Sequence, residues 1–139
     1  MDMYHEIDIN KDKEAIFQAL TSEIGLKSWW TSQTEFNPKE KTYKFGFMNG
    51  KYWFAFKIIK QEENKIEWEC INADSLSKDW IKTKLIFDIV KTNDHTTLKF
   101  THANWNESSE VFSRCNTTWG FLMFSLKNYL ENGKGMPIS

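Results

Sequence analysis

Apolar and polar residues alternate along most of this chain, and the last thirty or so do not. Tyr4 to Ile9 sets Ile7 and Ile9 on one face and Glu6 and Asp8 on the other, which predicts a strand. Thr42 to Phe47 puts Tyr43, Phe45 and Phe47 on one face. Asn49-Gly50 is a two-residue hairpin signal, and Lys51 to Lys60 reads as the returning strand. In Lys65 to Cys70, Ile66, Trp68 and Cys70 point inward while Lys65, Glu67 and Glu69 point outward. Trp80 to Lys91 turns Ile81, Leu85, Phe87 and Ile89 inward and Lys82, Lys84 and Asp88 to water. Thr96 to His102 turns Leu98, Phe100 and His102 inward. Asn37-Pro38, Glu62 to Asn64 and Thr92 to Asp94 read as turns, and Asn72 to Asp79 as a loop.

Two segments follow a helical period. After Tyr4 to Ile9, Asp12 is an N-cap with Glu14 in the first turn, and Ala15, Ile16, Ala19 and Leu20 form a buried side. Gly25 breaks this pattern, and Leu26, Trp29 and Trp30 fall on a second short helix or turn. From Ser108 to Glu131, apolar residues recur at Phe112, Cys115, Trp119, Leu122, Met123, Leu126, Tyr129 and Leu130. Steps of three and four predict a helix of about 24 residues with one buried stripe, roughly 36 Å long. Strands with one charged and one apolar face form an antiparallel sheet with one solvated side. Its apolar side needs a cover, and the closing helix supplies one. The fold class is therefore α+β.

Composition narrows the function classes. The 139 residues fit one domain, net charge is -1, and charged residues make up 27%. Of the 18 basic residues only Arg114 is an arginine. Readers of phosphate and base edges favour the arginine fork, so nucleic acid is not an expected partner. Cys70 and Cys115 form no CxxC motif, which fits a reducing compartment. MDMYHEID lacks an apolar signal core, and no segment approaches the ~18 apolar residues of a membrane span. A cytoplasmic location without membrane insertion follows as the expectation. Seven Trp and eleven Phe either fill a core or line a cavity.

The order strand, two short helices, several strands, long helix resembles the START-like, or SRPBCC, superfamily. The resemblance is carried by AIFQALTSEIGLKSWW (Ala15 to Trp30) and WGFLMFSLKNYLENGKG (Trp119 to Gly135). The nearest branch is that of small bacterial proteins named after the activator of the heat-shock chaperone ATPase. The resemblance implies a helix-grip, Bet v 1-like fold over residues 1–139. In it a curved antiparallel sheet of about six or seven strands wraps around the long helix. It also implies a cavity for a lipid-like, polyketide-like or aromatic molecule, and cyclisation or similar chemistry in some members. The branch has no shared catalytic triad, metal motif or cofactor to carry over. The true activators have a separate chaperone-binding domain, for which these 139 residues leave no room.

On that fold the expected cavity wall is Trp29, Trp30, Phe45, Phe47, Phe56, Trp68, Leu85, Phe87, Phe100, His102, Phe112, Cys115, Trp119 and Met123, with Trp29 and Trp30 at its mouth. Aromatic walls with few polar groups suit a flat or elongated apolar ligand, and His102 or Tyr43 would orient it. The competing expectation is that these side chains fill the space as core. Opening is expected at the Trp29-Trp30 turn and at the loop Ala103 to Glu107. His102 also qualifies as the acid/base group of a cyclase- or hydratase-like alternative. A third alternative is a co-chaperone-like interaction module. His5 shares the inward face of its strand, so pairing of the first and last strands brings it near His102. Two imidazoles without a nearby carboxylate or thiol fall short of a zinc site. Cys70 and Cys115 read as small buried hydrophobes, and Glu67 and Glu69 as solvated carboxylates. Arg114 lies off the helix stripe, placed either at the surface or to meet a ligand carboxylate at the mouth. Phe121 and Phe124 fall opposite the stripe and predict a homodimer contact.

Overall fold

The computed structural model describes residues 1–106 and 109–139. Seven strands form one antiparallel sheet in the order β1-β7-β6-β5-β4-β3-β2. They are β1 (Met3–Ile9), β2 (Gln33–Asn37), β3 (Thr42–Phe47), β4 (Tyr52–Glu62), β5 (Lys65–Ala73), β6 (Lys84–Lys91) and β7 (Thr96–Ala103). Strands β2 to β7 run as a meander, and β1 closes the far edge against β7. Helices α1 (Lys13–Thr21) and α2 (Glu23–Trp29) carry the chain from one sheet edge to the other. Helix α3 (Glu110–Asn132) covers the inner face with Trp119, Leu122, Met123 and Leu126.

The local chemistry explains the boundaries. Asp12 accepts from the Ala15 N–H and caps α1. Ser22 ends α1 and begins α2, its Oγ accepting from the Gly25 N–H at 3.0 Å. Gly25 does not break the helical pattern as the spacing implied. It sits inside α2 where a Cβ would lie 2.7 Å from the Ala19 backbone, so the helices meet at that point. Ser109 caps α3 through the Phe112 N–H, and Gly133 ends it at φ 82°. The expected first residue of this helix, Ser108, lies outside the described residues.

Four features depart from the alternation pattern. Gln33–Asn37 is an edge strand, too short and polar to register as one in the sequence. The segment expected as one strand from Trp80 begins as a 3₁₀ turn at Lys78–Trp80; Lys82 adopts φ 77°, and pairing starts at Lys84. The β3–β4 hairpin closes at the Phe47–Tyr52 pair, so its loop is four residues, with Met48, Asn49 and Gly50 all at positive φ. The strand after Glu62–Asn64 also extends to Ala73, beyond the expected loop start at Asn72. Register shifts in the β4–β5 pair after Ala55 and Ile58 bend the sheet around α3.

Candidate functional site

The inner face of the sheet and the buried stripe of α3 are in direct contact. Phe100 meets Trp119 at 4.3 Å between ring centroids, Trp30 stacks on Phe45 at 3.9 Å, and Phe87 meets Phe100 at 4.9 Å. Trp29, Phe45, Phe56, Trp68, Leu85, Phe87, Phe100, His102 and Met123 are all buried there. Phe112 leans on Trp105 at 5.8 Å. These ten of the expected wall residues pack into or against the core, because α3 sits close enough for its side chains to interdigitate with the sheet. Tyr43 is likewise committed. Its hydroxyl donates to the Thr21 carbonyl at 2.6 Å, and burial pushes its pKa up to about 12.

Open space lies instead at one end of the grip. A cleft of about 640 Å³ runs between the first half of α3, the β3–β4 hairpin and the loop before β6. Arg114, Cys115, Thr118, Trp119 and Leu122 form the helix wall. Phe47, Met48, Tyr52 and Phe54 form the hairpin wall, Leu76, Ser77 and Trp80 the loop wall, and Trp30 and Ile138 the inner end. Trp30, Phe47, Cys115 and Trp119 are the expected wall residues that the fold brings together here. Arg114 stands at the mouth, as one of its two expected placements had it, while the hairpin and loop residues were missed because such positions carry no period that reports a shared wall. Trp80 looked like the start of a strand, and its place in a 3₁₀ turn aims it into the cleft.

The aromatic walls are held by stacking and by polar bonds behind them. Phe54 stacks on Trp80 at 3.8 Å, and Trp30 lies 5.0 Å from Trp119. Behind these rings Trp119 Nε1–H donates to His102 Nδ1 at 3.0 Å. An indole nitrogen only donates, so Nδ1 is unprotonated and Nε2–H donates to Thr83 Oγ at 2.9 Å. The Thr83 hydroxyl in turn donates to the Trp80 carbonyl. One directed chain of hydrogen bonds thus ties the two facing tryptophans together. Burial lowers the His102 pKa to about 3, so the ring is neutral at physiological pH. The loop wall is braced by Asp74, which accepts from the Ser77 hydroxyl at 2.7 Å and from the Trp53 and Leu76 N–H groups. Burial alone raises the Asp74 pKa, but these hydrogen bonds outweigh it and leave the carboxyl below its usual value.

The remaining candidates fall outside this chemistry. His5 Nε2 bonds to Asn116 Oδ1 at 2.9 Å, and the register sets His5 opposite Phe100 rather than His102. Among the described residues no group of three or more His, Cys, Asp or Glu is arranged to hold a metal ion. Burial raises Cys70 to about 12 and Cys115 to about 11, so both thiols stay protonated at neutral pH. Glu67 pairs with Lys84 on the outer face. Arg114 lines the cleft mouth and is 78% exposed, paired with Glu110. Phe121 and Phe124 are 45% and 61% exposed on the back of α3.

The family model described as "Activator of Hsp90 ATPase homolog 1-like protein" matches residues 11–131. The chain belongs to this family. The resemblance read from the two helical segments is thereby borne out, and with it the helix-grip fold. The solution structure of the Aha1 dimer from Colwellia psychrerythraea is 33% identical, with a TM-score of 0.83 over 97% of this chain and 99% of that one. A crystal structure of a Mesorhizobium loti protein is 14% identical, with a TM-score of 0.80 over 98% and 100%. The AHSA1-like protein from Aeromonas hydrophila is 12% identical, with a TM-score of 0.73 over 96% and 94%. The last two share the fold alone. Comparison with curated proteins gives no match. Among the described residues no helix is long and apolar enough to cross a membrane.

Proposed function

We propose that this AHSA1-like chain binds a small hydrophobic or amphipathic molecule, lipid-like, polyketide-like or aromatic, in the cleft at the end of the grip. The observation that carries this is an apolar recess walled by Trp30, Trp80 and Trp119 while the core beside it is closed. Binding works by burial, at about 25 cal/mol per Å² of apolar surface removed from water. A catalytic role for His102 loses its basis. The ring lies behind the wall, both its nitrogens are engaged, and it stays neutral. Native mass spectrometry of the protein purified from the cytoplasm of its own host tests the binding. A retained molecule supports it, and Thr118→Trp, which fills the cleft from an exposed helix position, should eject that molecule without lowering stability. An empty wild type that also ignores lipid and aromatic panels overturns it.

A second reading concerns assembly. Phe121 and Phe124 are exposed together on α3, and a relative of 33% identity is described as a dimer. We propose that a second copy of this chain covers that face. The family's name also supports a co-chaperone-like role, and co-purification of a chaperone ATPase with an empty cleft would favour it.

A further inference from the structure

Among the described residues that line the cleft, Arg114 is the only charged one. Of the three hydroxyls on the walls, Tyr52, Ser77 and Thr118, the two aliphatic ones are already committed. Ser77 donates to Asp74 at 2.7 Å, and Thr118 donates to the Arg114 carbonyl at 3.0 Å. The Cys115 thiol stays protonated in its apolar setting. The Tyr52 phenol and the indole N–H groups of Trp30 and Trp80 also line the cleft, but they are neutral donors, so the guanidinium is the wall group that offers a charge. Nε and Nη2 both point at a single oxygen of Glu110, at 3.2 and 3.0 Å. That arrangement leaves the planar fork without the two-oxygen acceptor it matches best. The Glu110 pair is an exposed i, i+4 contact of the weak kind, so exchange for another carboxylate costs little.

We propose that the cleft takes a monoanionic amphiphile, an apolar body with one carboxylate, and that Arg114 receives the carboxylate at the mouth. This rests on the cleft being a binding site. The aromatic walls then desolvate the body while the head stays at the rim, where its charge keeps most of its hydration. Discrimination against the neutral analogue comes from the arginine, and affinity for the body comes from the tryptophans.

Dodecanoate and its neutral methyl ester, titrated against tryptophan fluorescence at neutral pH, separate the two contributions. Wild type should favour dodecanoate by about fivefold, Arg114→Gln should bring the two within about twofold, and Arg114→Lys should keep part of the preference. Glu110→Gln, which removes the competing carboxylate, should tighten dodecanoate and leave the ester unchanged. A wild type that binds both equally, or a preference that survives in Arg114→Gln, overturns the inference and leaves the cleft standing. Failure of both probes to bind overturns the cleft and this inference together.

Discussion

Trp119 donates its indole N–H to Nδ1 of His102 across 3.0 Å, in the middle of an aromatic core. The bond decides the tautomer of the imidazole and, through Thr83, the position of Trp80 on the opposite cleft wall. A buried polar chain of this kind is worth keeping only if every member is satisfied, and here each one is.

The neutral His102 makes stability depend on pH. Its folded pKa is about 3, below the ~6.5 of an unfolded chain. Between those values the unfolded state holds the extra proton, so stability rises with pH in this window and is lost on acidification below about pH 6.5. From pH 7 to pH 5, wild type should lose about 2 kcal/mol more than His102→Gln, whose amide can make both bonds without titrating. Urea titrations at the two pH values measure the difference, and equal losses would remove His102 as the cause.

Trp119→Phe deletes the indole donor, leaves Nδ1 of His102 unpaired and thins the cleft wall. Destabilisation should be about 2–4 kcal/mol in urea unfolding. A cost below about 1 kcal/mol would mean that the polar chain contributes little.

Gly25→Ala tests the α1–α2 contact. The new Cβ would stand 2.7 Å from the Cα and carbonyl oxygen of Ala19 and 2.9 Å from Ser22 Oγ. The expected cost is about 1–3 kcal/mol, from overpacking against the Ala19 backbone, which cannot turn aside as a side chain can. Thermal unfolding measures it, and an unchanged midpoint would show that the two helices separate freely.

Replacing both Phe121 and Phe124 with Ser should halve the solution mass measured by light scattering. Neither side chain is part of the core, so monomer stability should change by less than about 0.5 kcal/mol each. An unchanged mass would sink the dimer.

The periods of two and of three to four residues determined the class of this protein. Alternation at Ile66, Trp68 and Cys70, and helical steps at Trp119, Leu122, Met123 and Leu126, each depend only on which side of a local element a residue occupies. That is why six of the strands, the long helix and the outward Phe121–Phe124 pair were legible, while the short polar edge strand Gln33–Asn37 was not. Local period cannot report how far apart two apolar faces settle. The sequence therefore nominated Phe45, Trp68, Phe87 and Phe100 as cavity walls, and the close approach of α3 made them core. Nor can it show which loops converge. The cleft came from a four-residue hairpin with left-handed Met48 and from a 3₁₀ turn that redirects Trp80. It came also from Ile138 bonded back to Trp30 at the end of the chain. His102 shows the same division: strand parity turned it inward, but only the packing of Trp119 and Thr83 around it made it a fixed neutral strut rather than a base.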